Sequence, residues 1–272
     1  MTIAFIGGGN MARSLIGGLV ARGWKAGQIV VADPLPAQLD SLRTQWPVRV
    51  TDDNALAVRD AEVIVLAVKP QMMRKAAEAI KAAIGDQRPL LISVAAGIRA
   101  SDIQRWLPGI PIVRAMPNRP ALQGCGMTGL YATDDVSTER RALAEQILSA
   151  VGATLWLERE QHMDIVTAVS GSGPAYFFLL IEMLEQAGVA QGLSPEVARR
   201  LAIETAYGSG AMAHEASDPP SVLREQVTSK GGTTAAALQV LEERGVREAF
   251  DAAVAAATRR AAELADEFGS GQ

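Results

Sequence analysis

The first half of the chain switches repeatedly between two periodicities, and that switching restricts the fold more than any other feature. Short apolar runs rich in β-branched residues, "TIAFIG", "QIVVAD", "VRV", "EVIVLAV", "PLLISVAAG" and "IPIVRAM", alternate with stretches such as Met11 to Arg22 and Gln71 to Ile84, where apolar residues recur at helical spacing. Strands that are apolar throughout and joined by helices belong to a parallel sheet covered on both faces. Beyond about residue 160 only helical patterns remain, from "MDIVTAVSGSGPAYFFLLIEMLEQAG" to "VREAFDAAVAAATRRAAELADEF". The expected architecture is α/β, with a doubly wound sheet over 1–159 followed by an all-helical domain over 160–272. Ser194-Pro195 and Asp218-Pro219 predict helix starts, each a capping side chain before a proline that lacks the orphan N–H. The run "AYFFLLIEML" is apolar nearly all round, so it predicts cover by a two-fold partner and hence a homodimer. Only the tail "GSGQ" reads as a low-complexity segment.

A length of 272 residues suits about two domains with a sizeable core. Cys125 is the only cysteine, so no intrachain disulfide forms, and it reads as inert and structural. Lys plus Arg number 26 against 30 Asp plus Glu, a net charge of -4, which argues against a nucleic-acid partner and against a polybasic membrane patch. The start of the chain lacks a basic-then-apolar leader, and no stretch reads as a membrane span, so a cytoplasmic protein is expected. No His, Cys or Asp cluster has metal-ligand spacing.

Chemistry enters with "IAFIGGGNMARSLIGGLVARG". Gly7, Gly9 and Ala12 form G-x-G-x-x-A after a strand and at the opening of a helix, the arrangement of a Rossmann dinucleotide site. Gly7 permits the tight turn, Gly9 lets a pyrophosphate approach the backbone, and Ala12 allows close helix packing. Free N–H groups and the positive end of the helix dipole face the phosphates. Asp33 ends the second strand about twenty residues on, where a carboxylate accepts from a ribose 2′-OH and repels a 2′-phosphate. That favours NADH, while the alternative is an Asp-Pro pair that simply caps its turn.

Carbonyl or alcohol chemistry on a nicotinamide needs a proton donor or acceptor at the oxygen. The chain is poor in these. His162 and His214 sit in helical stretches without a partner motif, and Tyr131 and Tyr176 lack a lysine at the spacing Tyr-x-x-x-Lys requires. A protonated imine is already electrophilic, so positioning, exclusion of water and one hydroxyl near the nitrogen suffice. The threonines of "TSKGGTTAAAL" thereby become candidate site residues.

Together "GGGNMA", "VSGSGPAYFF" and "LREQVTSKGGTTAAAL", with "LAVKPQ", "SVAAGI" and "RAMPNRP", resemble the pyrroline-5-carboxylate reductase family over most of the chain and in the same order. The resemblance implies reduction of 1-pyrroline-5-carboxylate to proline, the last step of proline biosynthesis, with NADPH or NADH. It also implies a Rossmann domain, a helical substrate-binding and dimerisation domain, and dimers that often assemble further, commonly into decamers. By resemblance the dinucleotide is lined by Ile6, Gly7, Gly8, Gly9, Asn10, Met11, Asp33, Asn54, Ala67, Val68, Lys69, Pro70, Val94, Ala95, Ala96 and Gly97, with Gln226 from the helical domain. A glycine turn at a helix N-terminus suits an anion. Ser229 and the amides of Gly232 and Thr233 would therefore cradle the substrate carboxylate, with the Thr234 hydroxyl at the ring nitrogen as the catalytic hydrogen-bond partner.

Glu160 matches an acidic family position near the substrate. Gly171, Gly173 and Pro174 would kink a long helix, with Ser170 and Ser172 satisfying freed carbonyls. Two departures stand out: Arg119 where the family usually has Thr, and Lys230 where it usually has Pro. Two rivals share the glycine loop. A β-hydroxyacid-type dehydrogenase would need a lysine base at Lys69 or Lys230, and a redox sensor would bind dinucleotide without turnover.

Overall fold

The computed structural model describes residues 1–269. They form two compact units, one made of residues 1–172 with the C-terminal segment from Ala257 onward, the other of residues 173–256.

The first unit is built on one eight-stranded sheet. In chain order its elements are β1 (Ile3–Ile6), α1 (Asn10–Ala21), β2 (Ile29–Ala32), α2 (Pro36–Gln45), β3 (Arg49–Thr51), α3 (Asn54–Val58), β4 (Val63–Leu66) and α4 (Met73–Ile84). There follow β5 (Leu90–Ser93), α5 (Ala100–Trp106), β6 (Ile112–Met116), β7 (Gly126–Ala132), α6 (Thr138–Leu148), β8 (Gly152–Trp156) and α7 (His162–Val166). The spatial order is β3-β2-β1-β4-β5-β6-β7-β8. All pairs are parallel except β6 with β7.

Every residue of β1, β2, β4 and β5 is buried, which is why these segments read as unbroken apolar runs. Helices cover both faces. Leu15, Ile16 and Leu19 of α1, Leu42 of α2 and Ile147 of α6 lie on one. Met73, Ala77 and Ile80 of α4 and Ile103 of α5 lie on the other. Each fully buried Leu, Ile or Met side chain among these contributes about 1.5–3 kcal/mol.

β7 and β8 lie outside the expected strand set. β7 carries two glycines, and β8 alternates between half-buried and exposed residues at the sheet edge, so neither presents an apolar run. The antiparallel β7 makes the sheet mostly rather than wholly parallel.

The boundary expected at 159/160 differs from the division between the compact units. α7 stays with the sheet because Val166 packs over Gly129 of β7, where an added Cβ would lie 2.8 Å from its Cγ1. The kink expected in "SGSGPAYFF" is a π-helical turn at Thr167–Gly171, in which the Ser172 N–H donates to the Thr167 carbonyl (2.8 Å). Ser170 accepts from Nδ2 of Asn118 (3.2 Å), which gives its oxygen a partner outside the helix.

The second unit comprises α8 (Gly173–Ala190), α9 (Pro195–Glu215), α10 (Pro220–Gln226), α11 (Thr233–Glu243) and the first part of α12 (Val246–Gly269). α8 packs along α9, with Arg199 paired to Glu185 (2.8 Å). Tyr176 meets Phe250 edge-on at 6.5 Å. Ser194 caps α9 as expected by accepting from the Val197 N–H. Asp218 does not cap α10; Pro219 holds that position, and the Asp218 carboxylate accepts from Nε2 of Gln226 (3.2 Å).

Phe177 and Phe178 of α8 are 65% and 63% exposed within the chain. By length and composition the helical stretch His162–Ala190 is apolar enough to cross a membrane, which corrects the expectation that no stretch is. α12 runs through Gly269, so the tail expected from 269 begins as helix; residues 270–272 lie outside the described residues. Cys125 is exposed, so it fills no core position.

Candidate active site

The chain runs outward from β1 to β3, then returns to place β4 on the other side of β1. That reversal opens a crevice at the C-terminal ends of β1 and β4. Gly7 stands at its edge with φ +99, and a Cβ there would lie 2.7 Å from the Ala67 carbonyl oxygen. Only glycine meets both conditions. The Gly7 N–H donates to the Ala32 carbonyl and the Ala67 N–H to the Ile6 carbonyl, both at 2.8 Å, which ties the three strand ends together.

A Cβ on Gly9 would meet nothing within 4 Å, so no protein atom requires that glycine, and the space beside it is open. No side chain caps α1, which begins directly after Gly9. Open space beside an uncapped helix start fits a pyrophosphate.

A cleft of ≈ 440 Å³ continues from here. Of the expected dinucleotide residues, Gly7, Gly9, Asp33, Asn54, Ala67, Val68 and Lys69 line it. Ile6 is buried in β1 and offers backbone only, while Gly8 lies beneath, its N–H donating to Oδ2 of Asp33 (2.8 Å). Asn10 is exposed at the start of α1, Met11 packs on the core, and Pro70 lines a neighbouring groove. Val94, Ala95, Ala96 and Gly97 follow β5 and do not line the cleft. Gly97 instead packs near Phe268, and the buried Ser93 hydroxyl just before them has no hydrogen-bond partner among the described residues. The sequence reading missed Leu35, Gln38, Asp52, Met72 and Lys75 as lining residues, because their types carry no motif.

Beside the 94–99 segment lies a charged cluster that the sequence could not assemble. Arg114 of β6 is buried and donates to Oε1 of Glu160 (2.7 Å), and the Ala100 N–H at the start of α5 donates to the same oxygen (2.6 Å). Glu160 is thus held within the first unit, as an anchor for α5. Asp164 sits nearby with its pKa raised, by burial first and then by Glu160 and Asp266, against the opposing pull of Arg114 and Arg99. Burial, followed by Glu160 and Asp134, also raises Tyr131.

A carboxyl with a raised folded-state pKa binds its proton more tightly folded than unfolded. Its contribution to stability therefore falls as pH rises from the ordinary carboxylate range through the raised value. Asp164→Asn should remove that slope. Melting curves between about pH 4 and about pH 7 should show the wild type losing more stability than the variant across the window, since the ordinary carboxylate range lies at its lower end. Parallel curves would refute the role.

In the second unit the late loop follows α10. Gly231 takes the left-handed conformation (φ +72), a requirement the sequence reading did not assign to it. The Gly232 N–H donates to the Ser229 carbonyl (3.0 Å), so this amide is committed to the turn, which corrects its expected role as a donor to substrate. Gly232 matters by lacking a side chain, since a Cβ there would collide with Oγ of Ser229. α11 starts at Thr233 with no side-chain cap, leaving the first-turn N–H groups of Thr233 and Thr234 without a side-chain acceptor. Gln226 donates to Asp218. Arg119 and Lys230 are both exposed.

Comparison with known proteins decides the family. A pyrroline-5-carboxylate reductase of Pseudomonas aeruginosa is 47% identical over 268 residues, covering 98% of both chains. The chain belongs to the pyrroline-5-carboxylate reductase family. The solved structure of a pyrroline-5-carboxylate reductase from Coxiella burnetii superposes with a TM-score of 0.94 at 41% identity, covering 97% of this chain and 98% of that one. A Plasmodium falciparum pyrroline carboxylate reductase with NADP bound matches at a TM-score of 0.83 and 29% identity, over 97% and 98% of the two chains.

The model for pyrroline-5-carboxylate reductase dimerisation matches residues 160–264, which takes in the exposed apolar residues of α8. A model described as NADP oxidoreductase, coenzyme F420-dependent, matches residues 2–97 and includes the whole glycine loop, Asp33, Asn54, Ala67–Pro70 and Val94–Gly97. As in the reductase family, an NAD(P)-linked oxidoreductase unit is followed by a dimerisation region.

Proposed function

We propose that this chain reduces 1-pyrroline-5-carboxylate to L-proline with NADPH or NADH. The observation that carries the reading is the near full-length identity to pyrroline-5-carboxylate reductases combined with an open, uncapped glycine loop at the β1/β4 crevice. The bound reduced nicotinamide would supply a hydride to the carbon of the C=N bond. Gly7 and Gly9 keep side chains away from the phosphates, and the N-terminus of α1 offsets their charge.

The Ser229 hydroxyl and the N–H groups that open α11 would hold the substrate carboxylate. Thr234 would hydrogen-bond the ring nitrogen. Catalysis on this scheme is chiefly proximity and orientation, since the imine needs no strong acid from the protein. Thr234→Ala should lower kcat/KM by about tenfold, the worth of one positioned hydrogen bond, with NAD(P)H binding unchanged; an unaltered kcat/KM would refute the assignment.

The exposed face of α8, inside the matched dimerisation region, is the surface a second copy would cover. Dimers assembling into a decamer, in the cytoplasm and without membrane or nucleic acid as partner, complete the proposal. Absorbance at the reduced-nicotinamide band tests it: oxidation of NADH or NADPH only when pyrroline-5-carboxylate is present supports the reading. Dinucleotide binding without such oxidation would turn it to a sensor.

A further inference from the structure

Building on the reductase reading, we propose that Asp33 makes this chain prefer NADH over NADPH. Asp33 closes β2 on the wall of the cleft and is only 8% exposed. Both of its oxygens are held: Oδ2 accepts from the Gly8 N–H (2.8 Å) and Oδ1 from the Leu35 N–H (2.9 Å). The carboxylate is thereby tied to the glycine loop on one side and to its own turn on the other. It cannot swing away to admit a second anion. Each oxygen keeps a further lone pair, so acceptance from a neutral hydroxyl costs nothing in existing hydrogen bonds.

The two sequence readings of Asp33, turn cap and ribose acceptor, thus describe one group, and the cap is what makes the charge immobile. A fixed carboxylate facing a 2′-phosphate repels it, and partial burial weakens the solvent screening that would soften the repulsion.

The surroundings offer no compensation on the β2 side. The turn "DPLP" at 33–36 supplies neither a cation nor a hydroxyl. The nearest arginine on α1, Arg13, is occupied by the Gly8 carbonyl, the Gln38 carbonyl, Oε1 of Gln38 and Oγ of Ser41. Lys69 and Lys75 line the same cleft but come from the β4–α4 segment and not from the β2 turn, and Asp52 lines it as a second carboxylate.

The test is calorimetric titration of the full-length protein with ADP-ribose and with 2′-phospho-ADP-ribose, alongside kcat/KM for NADH and NADPH. The wild type should bind ADP-ribose about tenfold more tightly or better, with the gap widening at low salt. Asp33→Asn keeps the shape and one acceptor and should close most of that gap. Asp33→Ser serves the same purpose should the amide variant misfold, and the wild-type ratio stands without either.

Equal or tighter binding of the 2′-phosphorylated ligand by the wild type overturns the inference. So does an unchanged ratio in a folded Asp33→Asn. Binding of neither ligand, with no substrate-dependent oxidation of either nicotinamide, overturns the reductase reading and this inference with it. Reduction that proceeds faster with NADPH overturns the inference alone.

Discussion

Arg114→Met should cost about 3 kcal/mol or more of stability, because it leaves a partly buried carboxylate without its cation. The Arg114 side chain is 6% exposed and that of Glu160 23%, so solvent compensates little. Asp164 is drawn down by the same arginine, so its loss leaves two acids facing each other. Glu160 also anchors the first N–H of α5 through the oxygen that Arg114 holds. Adding Glu160→Gln should restore part of the loss, since an amide oxygen still accepts from Ala100 and no charge remains to be stranded. Urea unfolding at one fixed protein concentration measures both, as assembly would otherwise shift the midpoint. A single variant within about 0.5 kcal/mol of wild type, the range of ordinary surface changes, would mean the pair contributes little.

Gly232→Ala should leave the fold standing and lower kcat/KM for the imino acid by about a hundredfold, the scale set by losing a preorganised donor at an anion site. The added methyl collides with Oγ of Ser229, so either the hydroxyl rotates away or the turn opens. Both outcomes disturb the proposed carboxylate cradle while sparing the sheet. The melting temperature should shift little, and affinity for the dinucleotide should not change. A loss carried by nucleotide affinity, or none at all, would remove the loop from the substrate site.

Much of the first unit was legible because its strands are buried on both sides. That burial forces the unbroken apolar runs of β1, β2, β4 and β5. β8 escaped because its edge position relaxes the demand, and β7 because Gly126 and Gly129 interrupt the pattern. The glycine loop was legible because Gly7 answers a steric requirement that leaves no substitute.

Hydrogen-bond commitments were not legible. Gly232 looks like a donor to a ligand until its N–H is found inside the turn, and Glu160 looks exposed until Arg114 and Ala100, distant in sequence, close on one oxygen. The apolar length of His162–Ala190 reads differently again, because composition alone separates a membrane-spanning helix from an oligomer face poorly.

The first unit is interrupted in sequence. Its last helical turns, from Ala257, come after the whole of the second unit. Phe268 packs beside Gly97, Asp266 pairs with Arg99 (2.7 Å) and Nη2 of Arg105 donates to the Gly269 carbonyl (2.8 Å). During synthesis on the ribosome the nucleotide-binding half therefore stays unfinished until residues 257–269 emerge, and a nascent chain must hold the surface around 97–105 bare while the helical half is being made. A stop codon late in the reading frame would damage the earliest-encoded part of the enzyme.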